Sequence, residues 1–321
     1  MRKDLFIQVF FRKGIIFCLL CVTALFQVQC SSSEKFLESS TTENETSVKQ
    51  NTFDDSWLET VNGNMPLVIS VPHGGTISPE LIKDRDCGTN EMDNNTAQLA
   101  AEIENAFNAS GKKPFLIIAK LGRNKIDFNR DLKVATCGNP QMEYTWNQYH
   151  KYIEEAIDAA INKFGYAMYI DLHGQSHPVK RLELGYFLSS TALKQVQEGT
   201  ETNSELGDKT SVKNLLVNND QLTLKELLMG ENAFGTLMEK SGFPAVPSLG
   251  NPYPKQGEPY FNGGYNTRTY TSSNYPKIFG MQIEANFRGV RDSEENRKKF
   301  SKAFTQSVTS YLDFIESKWK Y

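Results

Sequence analysis

Five short apolar runs, each followed by a turn or a helical stretch, constrain the fold of this chain more than any other feature. They occupy residues 67–71, 115–119, 166–172, 182–188 and 279–285. Helical apolar spacing marks residues 95–108, 144–164 and 222–240, with Gly165 and Gly242 as C-terminal glycines, and a last helix runs from a cap at Ser293 to about Lys318. Strands that alternate with helices favour an α/β fold, a mixed, mostly parallel sheet with helices on both faces. Residues 191–220 are polar and read as an irregular surface insertion.

The composition suits one large domain behind an N-terminal extension. The chain has 321 residues, 39% of them hydrophobic, and a formal net charge of −3. It lacks the basic excess that nucleic acid or an anionic membrane surface would require. Residues 1–30 combine a charged start with an apolar stretch that is short for a membrane span and typical of a signal peptide. Residues 31–55 have the composition of a disordered tether, which leaves 56–321 as a single domain.

These features predict a secreted protein. The alternatives are lipid attachment at Cys30, for which Gln29 is a poor preceding residue, and an uncleaved signal anchor. In an oxidising compartment the remaining cysteines, Cys87 and Cys137, commonly pair, although two unpaired thiols are the alternative. Three sequons would allow N-glycosylation in a eukaryotic host, at Asn44, Asn94 and Asn108.

Two of the four histidines stand where an apolar run gives way to glycine: His73 precedes Gly-Gly and His173 precedes Gly-Gln. In open α/β sheets, ligands bind at the carboxyl ends of the strands. Imidazole is the commonest metal ligand, and two imidazoles with one carboxylate leave a fourth position open for a catalytic water. The pattern therefore suggests a hydrolytic zinc site.

The spacing does not decide which carboxylate would complete such a site. Glu91 and Asp93 follow His73 at the start of a predicted helix, and Asp86 is a further candidate. A Gly-Thr turn before the helix would project Glu91 or Asp93 from its N-terminus. Acidic residues are also favoured in a first helical turn by the helix dipole alone, so a purely structural role is the alternative.

Six segments in order resemble the N-formylglutamate amidohydrolase family, which is related in fold to zinc carboxypeptidases. They are Ser-Val-Pro-His73-Gly-Gly, Gly-Thr-Asn-Glu91, Asp127-Phe-Asn129-Arg130, Asp171-Leu-His173-Gly, Gly263-Gly264-Tyr265-Asn266-Thr267-Arg268 and Gln282-Ile-Glu284-Ala-Asn286. The resemblance spans residues 66–288 and implies a zinc amidohydrolase-like catalytic domain over 56–321. It implies one Zn²⁺ held by His73, Glu91 and His173. His177 and residues 191–220 have no place in the family pattern, and the usual members are cytosolic.

The resemblance also implies catalytic roles. Glu284 would be the general base that takes a proton from water, whereas its structural alternative is an ion pair with Arg288 or Arg291. Arg123 would stabilise a developing oxyanion. His177 could hydrogen-bond the transition state, or could be an ordinary histidine on a polar loop.

Substrate recognition would fall to a second group of residues. Asn129 and Arg130 resemble the pair with which carboxypeptidases grip a substrate carboxylate, and Arg268 would bind a second carboxylate. Tyr265 follows a glycine pair that indicates either a close backbone approach to a ligand or a hairpin turn. Asp171, two residues before His173, would orient that imidazole.

We therefore expect a secreted zinc-dependent amidohydrolase that cleaves an N-acyl amino acid, or another small amide with a carboxylate. An exopeptidase-like or poly-glutamyl hydrolase is the first alternative, since the segments also resemble poly-γ-glutamate hydrolases. A non-catalytic binding protein on the same fold is the second. If the loops of Cys87 and Cys137 flank one site, as the resemblance implies, a disulfide would brace them, with Cα atoms less than about 7 Å apart.

Overall fold

A sheet of seven strands organises residues 53–199, 203–217 and 219–318, the part of the chain that the computed structural model describes. The strands are β1 (Leu58–Val61), β2 (Leu67–Val71), β3 (Phe115–Ala119), β4 (Ala167–Gln175), β5 (Leu182–Gly185), β6 (Ala245–Val246) and β7 (Ile278–Asn286). Their order across the sheet is β1-β3-β2-β4-β7-β5-β6. The pairs β1–β3 and β5–β7 are antiparallel, and the other four are parallel. The predicted mixed, mostly parallel sheet is confirmed.

The helices connect these strands. They are α1 (Thr96–Asn108), α2 (Leu132–Thr136), α3 (Glu143–Phe164), α4 (Ser190–Glu198), α5 (Asn203–Gly207), α6 (Lys213–Val217), α7 (Leu224–Met229), α8 (Phe234–Lys240), α9 (Tyr265–Tyr270) and α10 (Glu294–Lys318). Gly165 ends α3 in the left-handed conformation, and Ser293 Oγ accepts a hydrogen bond from Asn296 N at the start of α10. Both caps agree with the sequence prediction.

Successive side chains of β2 enter two different hydrophobic cores, as the two-residue period of a strand requires. Ile69 belongs to the core that contains Leu99 of α1 and Phe304 of α10. Val68 belongs to the core that contains Ile153 of α3. Helices therefore cover both faces of the sheet, as predicted, and the central strands are buried along their whole length.

Three parallel neighbours, β2, β4 and β7, bring their carboxyl ends to one edge of the sheet. His73 lies two residues beyond the end of β2. His173 lies within β4 and is directly opposite Glu284 of β7 in the register. The strand order alone thus brings together candidate site residues that lie far apart in the chain.

The interpretation of residues 191–220 as an irregular insertion is wrong. The described residues of this region form α4, α5 and α6, and Leu193, Val196 and Leu215 are buried in the core. Their apolar residues have helical spacing, but the many polar residues between them obscured it. Residues 200–202 and 218 lie outside the described part.

Two other boundaries differ from prediction. The expected helix over 222–240 is two helices, because Gly230 has an extended backbone (φ −76°, ψ 176°) and ends α7. The strand expected over 182–188 ends at Gly185, where the backbone of Gly263 comes close enough to exclude a Cβ.

The predicted signal peptide, Cys30, Asn44 and residues 31–52 of the predicted tether lie outside the described residues, whereas its last residue, Asp55, begins a short 3-10 helix, Asp55–Trp57. Every helix in the described part of the chain is too short or too polar to cross a membrane.

Candidate metal and catalytic site

A cavity of about 590 Å³ opens at the carboxyl ends of the central strands. Four side chains that lie close together form what we call the floor: His73, Asp93, His173 and Glu284. Three residues at its partly exposed border form what we call the rim: Arg130, His177 and Phe261. The volume is within the range of roughly 300–1,000 Å³ that is usual for small-molecule sites.

The floor contains a three-residue group with the composition of a metal site. One ligand atom from each of His73, Asp93 and His173 lies within 4.8 Å of the other two. Asp93 Oδ2 is 3.1 Å from His173 Nδ1 and 3.6 Å from His73 Nδ1. The two imidazole rings meet edge to face, with centroids 4.8 Å apart. Both Nδ1 atoms therefore face the same carboxylate oxygen.

Two buried aspartates fix the opposite nitrogen of each ring. His73 Nε2 is 2.7 Å from Asp127 Oδ1, and His173 Nε2 is 2.8 Å from Asp171 Oδ2. Carboxylates in these positions favour the tautomer with hydrogen on Nε2, which leaves the Nδ1 lone pairs directed at the centre of the group. The expected role of Asp171 in orienting His173 agrees with this contact.

One orphaned atom supports this interpretation. His73 Nδ1 is buried and has no hydrogen-bond partner among the described residues. A buried nitrogen without a partner is costly unless something else satisfies it, and a cation is one such partner. Two imidazole nitrogens and one carboxylate oxygen also form a ligand set typical of catalytic zinc, which keeps a further position open.

The structure gathers Asp93 into this group and does not gather Glu91. The backbone N–H of Asp93 donates to His73 O at 3.1 Å, which brings the two ligand candidates side by side. Glu91 lies in the exposed stretch before this contact, and its carbonyl oxygen accepts a hydrogen bond from Arg123 Nη1. The structure therefore places Asp93, and not Glu91, beside the two imidazoles, and Asp93 is the carboxylate that we take forward as the candidate ligand.

Electrostatics holds the floor in a charged state. Burial alone would raise the pKa of Asp93, but the hydrogen bond of His173 and the nearby imidazoles of His73 and His173 outweigh it and keep that pKa well below its usual range. Burial would lower the pKa of His173, but Asp171 and Asp93 raise it well above its usual value. The group thus has an anionic carboxylate that attracts positive charge.

Glu284 is the one floor carboxyl whose pKa moves upward. Burial raises it to about 8, against the opposing effect of the His173 charge and with support from the negative charge of Asp93. Gln282, two residues earlier on the same strand face, donates from Nε2 to Glu284 Oε1 at 2.8 Å. The structural alternative of an ion pair with Arg288 or Arg291 is absent among the described residues. A carboxyl poised near neutral pH suits a general base.

Arg123 lines the cavity, and three of its N–H donors are held by neighbouring residues. Its Nε and Nη2 donate to Asp127 Oδ2 at 3.0 and 2.9 Å, and its Nη1 donates to Glu91 O. Asp127 therefore accepts from both His73 and Arg123, and these two neighbours lower its pKa although burial would raise it. Asp127 belongs to one of the six segments, but the sequence predicted no role for it in the site.

His177 and Phe261 form the aromatic part of the rim. The two rings stack with centroids 4.8 Å apart. His177 Nδ1 is 2.8 Å from Oε1 of buried Glu183, whose Oε2 accepts from Phe261 N. His177 Nε2 has no hydrogen-bond partner among the described residues, which leaves it available to a ligand. Neither Glu183 nor Phe261 was singled out from the sequence.

The proposed substrate-binding residues separate into two groups. Arg130 and Asn129 both line the cavity, and the buried side chain of Asn129 is 3.1 Å from His173 Nε2 and accepts from Asn266 N. Tyr265 and Arg268 belong to α9 and do not line this cavity. Arg268 lies over the ring of Phe187, at 4.2 Å from the centroid, beside a different and smaller pocket.

The glycine pair of that segment approaches the floor in their place. A Cβ at Gly264 would lie 2.5 Å from both Asn129 Nδ2 and Gln282 Oε1. Any side chain there would displace two residues that contact His173 or Glu284. The backbone of Gly264 thus packs closely against Asn129 and Gln282 at the cavity, and its expected approach to a ligand stays a prediction.

Cys87 and Cys137 form a disulfide, and their Cα atoms are 5.9 Å apart. The prediction that they lie within disulfide range is confirmed. The bridge joins the C-terminal residue after α2 to the loop that leads to Asp93.

Solved structures similar to this chain include three from bacteria. An N-formylglutamate amidohydrolase from Ralstonia eutropha JMP134 has 16% identity and a TM-score of 0.49, over 81% of this chain and 97% of that one. A gene product of Agrobacterium tumefaciens has 8% identity and a TM-score of 0.47, over 81% and 96%. The N-acetylmuramyl-L-alanine amidase Ami1 from Mycobacterium smegmatis has 13% identity and a TM-score of 0.38, over 79% and 100%.

No family model and no curated protein matches the sequence. The first of the three structures carries the name of the family that the sequence segments resemble. None of these likenesses is close enough to carry an argument about function, which therefore depends on the residues of the floor and the rim.

Proposed function

We propose that this chain is an exported, zinc-dependent amidohydrolase that cleaves the amide bond of a small substrate bearing a carboxylate, such as an N-acyl amino acid of the N-formylglutamate type. The observation that carries the proposal is the position of buried Glu284 beside a group made of two imidazole Nδ1 atoms and one aspartate. The Cys87–Cys137 disulfide supports export, because disulfides persist in oxidising compartments.

His73, Asp93 and His173 would hold the ion. A bound Zn²⁺ supplies a Lewis acid that polarises a carbonyl and brings the pKa of water towards neutrality. Glu284 accepts the proton of the attacking water through its carboxylate and delivers it to the leaving nitrogen. Gln282 orients the carboxylate by the hydrogen bond to Oε1.

The rim supplies recognition. Arg130 is partly exposed at the cavity and has no ion-pair partner among the described residues, so its guanidinium is available to a substrate carboxylate. His177, whose Nδ1–H donates to Glu183, presents the Nε2 lone pair to a hydrogen-bond donor of the substrate, such as its amide N–H. Arg123 lines the cavity and positions Asp127 by two hydrogen bonds, and the N–H donors left over by these bonds and the one to Glu91 O are available to the developing oxyanion.

The size of the cavity favours a second candidate, an exopeptidase-like or poly-glutamyl hydrolase. A volume of about 590 Å³ leaves room for a substrate larger than a formylated amino acid. Purified protein should be assayed with N-formylglutamate, short glutamyl peptides and poly-γ-glutamate, each with and without chelation and re-addition of zinc. Hydrolysis of any of these that depends on both zinc and Glu284 supports the proposal. A protein that binds no metal, or whose hydrolysis is unaffected by chelation, contradicts it and leaves the non-catalytic alternative.

A further inference from the structure

One buried arginine that lines the cavity beside the floor, Arg291, has no part in the proposed reaction. Arg291 is 1% exposed, and no carboxylate oxygen of the described residues is within ion-pairing distance of its side chain. It lies at the end of the turn Phe287–Arg291, after β7. Burying an unpaired guanidinium is costly, so its contacts need an explanation.

All of its recorded hydrogen bonds go to backbone carbonyls, and they reach three separate segments. Nε donates to Ala285 O at 2.9 Å, Nη2 donates to Gln175 O at 2.9 Å, and Nη1 donates to Asn94 O. Ala285 directly follows Glu284, Asn94 directly follows Asp93, and Gln175 is two residues after His173. One rigid guanidinium therefore touches the chain next to the proposed base and next to two of the three proposed metal ligands.

The neighbouring glycine is shaped to admit this side chain. A Cβ at Gly174 would lie 2.3 Å from Arg291 Cζ, so any larger residue would expel the guanidinium. The backbone N–H of Gly174 also donates to Asp93 Oδ2 at 3.0 Å, the ligand oxygen itself. Gly174 thus connects the arginine to the metal group directly.

The backbone of Arg291 is held from two further directions. Its carbonyl oxygen accepts from Asn95 Nδ2 and from Arg297 Nη1, both at 2.9 Å. Asn95 follows Asn94 in the loop that carries Asp93, so this loop and the Arg291 turn are joined by contacts in both directions.

We propose that Arg291 is a positioning residue whose guanidinium holds the segments of Asp93, His173 and Glu284 in the relative placement that metal binding requires. The inference rests on the proposed metal site. The alternative is that Arg291 acts only through its charge. The two roles predict opposite changes in zinc affinity when the arginine is replaced. A positive charge close to a cation site repels the cation, so removing that charge would strengthen binding if electrostatics dominated. Loss of the three carbonyl contacts would weaken binding if positioning dominates.

The test measures zinc dissociation constants by competition with a chromophoric chelator, for the full chain with its disulfide intact. We expect Arg291→Met and Arg291→Lys each to weaken zinc binding by about 10- to 100-fold, the usual range for loss of an outer contact that orients ligands. Lysine keeps the charge but cannot reach three carbonyls at once. Arg288→Met is the matched control, because Arg288 is an exposed arginine of the same turn, and it should bind zinc as the wild type does.

Far-UV circular dichroism and the thermal unfolding midpoint of each metal-free variant distinguish positioning from a general loss of structure. Lower stability with unchanged zinc affinity would overturn the inference, as would tighter binding by Arg291→Met. If Arg291→Met does not fold, Arg291→Lys and Gly174→Ala decide, since alanine there displaces the guanidinium while keeping its charge. Wild-type affinity in both would overturn the inference alone, whereas wild-type protein that binds no zinc would overturn the proposed function with it.

Discussion

The floor and the rim of the cavity are built in different ways. Each floor imidazole contacts two carboxylates, of which Asp171 lies on β4 and is buried, Asp127 is buried in a loop, and Asp93 lies in a loop and is nearly buried. The rim residues are partly exposed and lie on loops, and the ring of Phe261 is held by stacking on His177. A site whose geometry is fixed by many buried contacts suits chemistry, and an exposed border suits adaptable recognition. Floor substitutions should therefore affect turnover and metal binding, and rim substitutions should affect KM.

The largest expected effect comes from the proposed base. Glu284→Gln keeps the size of the side chain and one oxygen that can accept from Gln282, but it cannot accept a proton. We expect kcat to fall by about 10²- to 10⁴-fold while the zinc content stays unchanged. Glu91→Gln, at an exposed position of the same cavity, is the matched control and should retain both. A Glu284→Gln protein that keeps most of its kcat would contradict the distinction between floor and rim.

The same pair of proteins tests the environment of Glu284 through stability. Burial raises the pKa of Glu284 from 4.5 to about 8, so the folded protein binds this proton more tightly than the unfolded chain. The stabilisation that the proton provides is present at low pH and is lost as the pH rises from about 4.5 to about 8. In the presence of a chelator, wild type should therefore lose free energy of unfolding relative to Glu284→Gln across this window. A difference that does not vary with pH would show that burial does not perturb the carboxyl.

The next effect comes from removing the disulfide, which lies outside the floor. Replacing both cysteines, as Cys87→Ser with Cys137→Ser, removes a crosslink between residues 50 apart in sequence. Loop entropy predicts a loss of about 4 kcal/mol in the free energy of unfolding. Because the Asp93 backbone is also tied to His73, zinc affinity of the folded variant should change little. Denaturant titration and zinc competition measure the two quantities, and a large loss of affinity would mean that the brace belongs to the floor.

The buried aspartates behind the imidazoles should have a smaller effect, specific to metal binding. Asp171→Asn keeps an acceptor for His173 Nε2 but removes the charge that makes the imidazole a better ligand. We expect zinc affinity to fall by about 10- to 100-fold. Asp158→Asn, at an exposed position of α3, is the control for a lost surface charge. Equal zinc affinities in the two variants would show that Asp171 does not contribute to metal binding.

The smallest effect should come from the rim. Phe261→Ala removes a ring that is 47% exposed and stacks on His177. Aromatic contacts of this kind contribute roughly 0.5–1.5 kcal/mol, so KM should rise about two- to tenfold with kcat nearly unchanged. Leu249→Ala, which truncates another exposed apolar residue before the same loop, should leave both constants unaltered. A fall in kcat larger than the rise in KM would place Phe261 with the catalytic residues.

The sequence was most informative where periodicity and strand ends coincide. Apolar runs ending in His-Gly located β2 and β4 and both imidazoles, because parallel strands bring their carboxyl ends together. The alternation of Met281, Gln282, Ile283 and Glu284 placed two polar groups on one face of β7, and their hydrogen bond agrees with that placement.

The sequence was least informative where tertiary contacts between loops decide. The choice between Glu91 and Asp93 depends on a backbone hydrogen bond to His73, which no local pattern encodes. Arg268 follows the glycine pair in sequence, but α9 turns its side chain onto Phe187 and away from the cavity. Arg291 reaches carbonyls as far as Asn94, almost two hundred positions earlier in the chain, at a separation of 197.

The most direct test of the account is a crystal structure of the zinc-loaded protein with anomalous data collected at the zinc edge. The account predicts one strong peak per chain, within about 2.0–2.2 Å of Nδ1 of His73, Nδ1 of His173 and a carboxylate oxygen of Asp93. Glu284 and Glu91 should not coordinate the ion. A peak bound to Glu91, a peak outside the cavity, or no peak in protein that hydrolyses an amide would contradict the central claim.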